Sequence, residues 1–241
     1  MSGVAAKVGL KALAFDVFGT VVDWHGGIAA EAAAVAARHG VTLDGSAFAR
    51  DWRAGYPGAM DRVRRGELPW LRIDALHRMI LDSIVERHGL GLLDEAEREA
   101  LNRAWHRLPA WPDTVPGLAR LKARYTITPL SNGNFSLLTH MAKHAGLPWD
   151  CVISAELFRH YKPDAEVYRG CAHLLDLAPH ELVLVACHPS DLRAARDSGL
   201  RTAYVRRPAE HGPGHRAPEC SPGEFDWVAD SFTELATLLG A

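Results

Sequence analysis

An aspartate closes the first apolar run of this chain: Leu10-Lys11-Ala12-Leu13-Ala14-Phe15 leads into Asp16-Val17-Phe18-Gly19-Thr20. A short hydrophobic strand that stops at Asp16 leaves a carboxylate at its C-terminal edge, the edge where open α/β sheets bind ligands. Gly19 lets the backbone turn sharply, and Thr20 sets a hydroxyl near the carboxylate. Two places past Asp16 stands Phe18, which can neither give nor take a proton. Three further loops carry polar residues. These are Ser131-Asn132-Gly133 after Leu130, then Lys162-Pro163, then Asp191, five residues past Ala186. If the strands before them are parallel, all four loops gather at one edge of one sheet. Two carboxylates, an ammonium and two hydroxyls would then share a site.

The elements that must position these residues follow from periodicity and breakers. The first strand spans residues 10–15. Residues 28–39 read as an alanine-rich helix stopped by Gly40. Residues 47–65 read as helical but interrupted, because Gly55, Pro57 and Gly58 lie inside. Residues 71–88 form a helix with Ile73, Leu76, Ile80 and Ile84 on one stripe, closed by Gly89. Residues 94–108 give another, with Leu101, Ala104, Trp105 and Leu108 on one side. After Pro112 the texture changes to alternation. Strands are expected at 125–130, 151–154, 182–186 and 202–205, with helices at 135–145, 165–175, 191–198 and 232–239. Such alternation implies an α/β fold, a parallel sheet with helices on both faces. Residues 206–223, rich in Pro, Gly and His, read as a surface loop.

The bulk composition narrows the classes. A chain of 241 residues, 48% hydrophobic and 23% charged, is an ordinary globular composition. A net charge of −2 leaves no basic footprint for nucleic acid. No apolar run approaches a membrane span, and Met1 to Leu10 lacks a signal-peptide succession. Cys151, Cys171, Cys187 and Cys220 are scattered without a C-x-x-C pair, which fits a reduced cytoplasmic protein. His211, His215 and Cys220 have irregular spacing in a loop-like segment, a poor match to zinc ligands.

The four loops together resemble motifs I to IV of the haloacid dehalogenase superfamily, and most closely its type II (S)-2-haloacid dehalogenases. The carriers are Phe15-Asp16-Val17-Phe18-Gly19-Thr20-Val21-Val22-Asp23, Ser131-Asn132-Gly133, Lys162-Pro163-Asp164 with Tyr168, and Trp52-Arg53 in the helical insertion. The resemblance implies a Rossmann-like doubly wound core (residues 1–22 and 112–241) with an inserted all-helical cap (23–111). It also implies a homodimer. The implied chemistry is hydrolysis of small 2-haloalkanoic acids to 2-hydroxy acids, without metal or cofactor. Asp16 would be the nucleophile, forming an aspartyl ester. Lys162 would hold it ionised, and Thr20 would hydrogen-bond it. Ser131, with backbone N–H groups near Val17 and Phe18, would take the substrate carboxylate. Arg53 and Asn132 would receive halide against an aromatic wall including Trp70. Asp191 would orient Lys162 or activate water, and Tyr168 would fix the substrate or simply pack.

Two departures carry physical weight. The superfamily's phosphatases place a general acid where Phe18 stands, because a leaving alkoxide needs a proton; halide does not. They also bind Mg²⁺ with an acidic residue at the place of Cys187, and hard cations select oxygen over a thiol. Both speak against the alternative of a metal-dependent phosphatase. Hydrolysis of another small carboxylate electrophile by Asp16 would use the same residues. In motif IV the dehalogenases' Ser and Asn are replaced by Ala186 and His188. His188 then has three readings: a base, a wall that narrows the pocket, or a partner of Asp191.

Overall fold

The computed structural model describes residues 9–216 and 218–241; residues 1–8 of the expected core segment and Ala217 of the expected loop lie outside them. Among the described residues one sheet has six parallel strands: β1 (Ala12–Phe15), β2 (Thr126–Ser131), β3 (Ile153–Ser154), β4 (Leu182–Ala186), β5 (Arg201–Val205) and β6 (Trp227–Ala229). Their order is β3-β2-β1-β4-β5-β6. The connectivity reverses direction at β1, which pairs with β2 on one side and β4 on the other. In a doubly wound sheet that reversal opens a crevice beyond the strand ends. Phe15 sits level with Pro129 and Val185, so Asp16 emerges at this crevice.

The strands are apolar because both faces are covered. Leu13, Phe15, Val183 and Val185 enter one core, while Ala12, Ala14, Leu182, Leu184 and Ala186 enter the other. That is the period-two alternation of a sheet buried on both sides. The first face is closed by α5 (Thr114–Lys122) and α9 (Phe232–Leu239), the second by α7 (Ala165–Leu174) and α8 (Pro189–Asp197). The helix α6 (Phe135–Ala145) follows β2.

Between β1 and α5 the chain is helical: α1 (Trp24–Arg38), α2 (Gly45–Arg64), α3 (Ile73–Ile84) and α4 (Glu95–Asn102), with short 3₁₀ turns at Glu86–His88 and Arg103–Arg107. Local chemistry starts these helices. Asp23 and Asp44 accept from the amides of Gly26 and Ala47, and Asp94 with Glu97 forms a reciprocal capping box. The insertion packs on the sheet through an aromatic cluster. Phe18 meets Trp105 edge-on at 5.7 Å, and Trp52 meets Trp105 at 5.5 Å.

The expected interruption within 47–65 does not occur. The helix α2 runs unbroken through Gly55, Pro57 and Gly58. Pro57 removes one bond, to the carbonyl of Arg53, and the remaining turns carry the helix past it. Gly55 is a contact residue: a Cβ there would come 2.5 Å from Ile80 Cγ2 of α3. The first helix begins at Trp24, before the alanine run, because Asp23 caps it. The first strand of the alternating region, β2, is displaced by one residue, and the short β3 is trimmed by two. The elements α5 and β6 were not anticipated from the sequence.

Candidate active site

Four strand ends and one helix of the insertion build the site. Asp16 follows β1, Ser131 ends β2, and Cys187 and His188 follow β4. Asp191 lies in the first turn of α8. Lys162 reaches in from the loop before α7. From the insertion, α2 contributes Arg53, Tyr56, Pro57 and Met60. All of these but Cys187 line a cavity of about 340 Å³, together with Phe18, Asn132, Pro163 and Ser190.

At its floor Asp16 is nearly buried, and its two oxygens are bound differently. Oδ1 accepts from Lys162 Nζ at 2.9 Å. Oδ2 accepts from Thr20 Oγ1 at 2.7 Å and faces His188 Nδ1 at 3.1 Å. Lys162 Nζ also donates to Asp191 Oδ2 at 2.5 Å, and Tyr168 Oη donates to Asp191 Oδ1 at 2.5 Å. Burial alone would raise the Asp16 carboxyl. The charge of Lys162, the hydrogen bond from His188 and the His188 charge outweigh it and hold the group well below the usual carboxylate range. Burial likewise opposes the Lys162 ammonium, but Asp16 and Asp191 raise it above the ordinary lysine value. Asp16 is therefore a carboxylate, and Lys162 an ammonium, at neutral pH.

Asn132 ties the second loop to the third. Its Oδ1 accepts from the Lys162 backbone N–H at 2.6 Å, and its Nδ2 faces Met60 Sδ and the Lys162 carbonyl, each at 3.4 Å. Ser131 Oγ accepts from the Gly133 N–H at 3.1 Å. The Arg53 guanidinium lies over Tyr56 at 4.5 Å, Trp24 at 5.7 Å and Phe18 at 5.8 Å. Its Nη1 is shielded from solvent without a hydrogen-bond partner. A buried, unsatisfied cationic donor beside the cavity suits an anion.

A resident Mg²⁺ does not fit this arrangement. Both oxygens of Asp16 already face cations, and the neighbouring position holds the buried Cys187 thiol, which burial pushes further from ionisation. Among the described residues one cluster of three possible metal ligands occurs, Cys187, His188 and Glu210. Its His188 and Glu210 atoms are paired with each other.

The model of the haloacid dehalogenase-like hydrolases matches residues 10–199. The chain belongs to that family. Within these hydrolases it is similar to a crystal structure of a defluorinating L-2-haloacid dehalogenase (47% identity, 96% of each chain covered, TM-score 0.91). A second L-2-haloacid dehalogenase structure gives 44% identity and a TM-score of 0.91, covering 96% of this chain and 99% of that one. Among curated proteins, (S)-2-haloacid dehalogenase 4A of Burkholderia cepacia is 28% identical over 238 residues, 95% of both chains.

Set against this hydrolase geometry, most of the expected site residues converge: Asp16, Thr20, Arg53, Ser131, Asn132, Lys162, His188 and Asp191, with Phe18 as a wall. Two expectations, Trp70 and Tyr168, need correction. Trp70 does not line the cavity; it stacks on Tyr161 at 6.2 Å with Arg159 over its ring at 5.7 Å. The aromatic surface around Arg53 is made by Phe18, Trp24 and Tyr56 instead. Tyr168 is fully buried, donates to Asp191 and lies outside the cavity lining. Val17 is buried too, leaving only its backbone for the site.

His188 neither partners Asp191 nor has a free nitrogen with which to act as a base. Its Nδ1 faces Asp16, and its Nε2 faces Glu210 Oε1 at 2.8 Å. Burial opposes its charge, yet Cys187, Asp16 and Glu210 raise its pKa well above the ordinary imidazole value. Glu210 was missed. It lies in the Pro/Gly/His loop after β5 and is 1% exposed. The available signal was positional: that loop leaves the same sheet edge as the other four.

Proposed function

We propose that this chain hydrolyses small 2-haloalkanoic acids to 2-hydroxy acids through a covalent ester on Asp16. The observation that carries the reading is the ionised Asp16, held between Lys162 and Thr20 at the floor of a small cavity whose next wall is Phe18. A nucleophile with Phe18 standing where the superfamily's phosphatases carry their general acid suits a leaving group that departs without a proton.

Substrate carboxylate docks on Ser131 and the backbone amides near Val17 and Phe18. Asp16 attacks the carbon bearing halogen in line, and that carbon inverts. Halide departs toward Arg53 and Asn132. Water then attacks the ester carbonyl carbon with Asp191 taking its proton, and the 2-hydroxy acid leaves. The relatives include a defluorinating enzyme, so fluoroacetate belongs among the substrates to be tried.

The same reading treats residues 23–111 as a cap over a core of residues 1–22 and 112–241, since the cavity is lined from both. It also takes the enzyme as a cytoplasmic homodimer. The four cysteines are unpaired, and among the described residues no helix is long and apolar enough to cross a membrane.

The test is halide release from (S)-2-chloropropionate, chloroacetate and fluoroacetate with EDTA present, with Asp16→Asn alongside. Release that survives EDTA and vanishes in the variant is the expected result. Absence of release from all three, with Mg²⁺-dependent cleavage of phosphate esters, would overturn it.

A further inference from the structure

The two oxygens of Asp16 are not equivalent, and the difference assigns them separate tasks. Oδ1 has one donor, Lys162 Nζ. Oδ2 has two, Thr20 Oγ1 and His188 Nδ1. The oxygen with fewer donors keeps a lone pair free for attack. If Oδ1 forms the bond to carbon, Oδ2 becomes the carbonyl oxygen of the ester. When water adds to that carbonyl, negative charge develops on Oδ2, where two donors already stand at 2.7 and 3.1 Å.

We propose that Thr20 and His188 form the oxyanion site for hydrolysis of the aspartyl ester, and that Glu210 is the positioning residue that aims His188. This rests on the reading above, in that an ester on Asp16 must form. Donors placed in advance where charge will appear need no reorganisation at the moment of reaction.

Glu210 is built for that role. Its Oε1 faces His188 Nε2 at 2.8 Å and accepts from Trp24 Nε1 at 3.2 Å. Gly19 makes room for it, since a Cβ there would lie 2.2 Å from Glu210 Oε1. A neutral imidazole between two carboxylates would turn a lone pair toward one of them; an imidazolium donates to both. The other ionisable groups facing the pair are the Cys187 thiol, 3.5 Å from both His188 and Glu210, His211, 3.5 Å from Glu210 Oε2, and Arg53 of α2, whose charge also acts on Glu210. Thr20 is fixed from behind, its Oγ1 accepting from the Cys187 N–H at 3.0 Å.

The step balances. Water gives one proton to Asp191 and its hydroxyl to the ester carbon, placing charge on Oδ2. Collapse breaks the bond between that carbon and Oδ1. The departing alkoxide takes a proton from Lys162, which recovers it from Asp191. Asp16 regains its carboxylate by releasing the remaining proton to solvent.

The experiment separates the half-reactions with (S)-2-chloropropionate under rapid quench. Chloride reports alkylation, and intact mass of the quenched protein reports the ester. Wild type, His188→Asn, His188→Gln and Glu210→Gln are compared. In the His188 variants ester hydrolysis is expected to fall roughly 10²–10³-fold, while alkylation falls far less. One chloride per site is then released in a burst, and the ester accumulates. Glu210→Gln preserves shape but removes one carboxylate from the imidazolium, so the alkaline limb of hydrolysis moves to lower pH. A merely structural role would not shift that limb. Equal losses in both steps, or hydrolysis unchanged in the variants, overturn the assignment. Wild type that forms no ester from any 2-haloacid overturns the reading beneath it.

Discussion

The Lys162 ammonium sits between two carboxylates, and its removal should be visible in a pH profile. In Lys162→Met the burial that raises the Asp16 carboxyl loses its main opponent. The acid limb of single-turnover chloride release should then move up by about 1–3 pH units, the range set by a neighbouring opposite charge. An unmoved limb would show that His188 alone keeps Asp16 ionised. Stability carries the matching signs. Asp16 is depressed on folding, so its share is present above the unfolded carboxylate range and is lost as pH falls through the folded value. His188 is raised, so its share is present below the unfolded imidazole pKa, about 6.5, and is lost as pH climbs through the folded value. In Glu210→Gln that alkaline loss should begin at lower pH in urea titrations run across pH. The motif residues were legible because each type suits one chemical task and their order is fixed by the strands. Glu210 was not, since its importance comes from meeting His188 and Trp24 across 22 and 186 residues of sequence.

Glycine and proline misled at the scale of elements wherever they served packing. Gly55 lies against Ile80, and Gly117 of α5 lies where a Cβ would come 2.4 Å from Phe232 Cβ of α9. Pro116 stands in the first turn of α5, where its missing N–H has no helical partner to lose. Read along the sequence these residues are breakers; read across a helix pair they are close contacts. Alternation and apolar runs did reveal the strands and the parallel sheet, because both faces are buried, but β6 has only three residues and offers too short a pattern. The contact reading of Gly55 makes a quantitative expectation. Gly55→Ala gains helix propensity of about 1 kcal/mol but forces Ile80, a stiff β-branched side chain, out of place at a cost of about 1–3 kcal/mol. Net loss of stability is expected in urea unfolding, and Ile80→Ala should suppress it when the two are combined. If Gly55→Ala is stabilising, α2 and α3 are less closely packed than the structure has them.

On the scale of the whole molecule, the floor and the outer wall of the cavity come from different parts of the chain. Asp16, Lys162, His188 and Asp191 belong to the sheet edge, while Arg53, Tyr56, Pro57 and Met60 descend from α2. Arg64, about one turn further along α2 than Met60, fastens the two parts. It donates to the Lys162 carbonyl at 2.9 Å and to Asp164 Oδ1 at 3.2 Å. The cavity, about 340 Å³, lies near the lower end of ligand pockets, roughly 300–1,000 Å³. Substrate length should therefore be limited by α2 and not by the catalytic groups. Met60 is the side chain to change, since it lines the cavity and is unbranched. In Met60→Ala, kcat/KM for 2-chlorobutyrate and 2-chlorovalerate should rise relative to 2-chloropropionate. One methylene in an apolar pocket is worth about 1–3 kcal/mol, so the ratio should change roughly 10–200-fold per carbon accommodated. The acid and alkaline limbs of the rate should stay where they are, because Met60 carries no ionisable group and its polar contact is with Asn132. A length preference that ignores Met60→Ala would move the filter to the sheet edge, to Ser190 or Pro163, and would make α2 a lid without a part in selection.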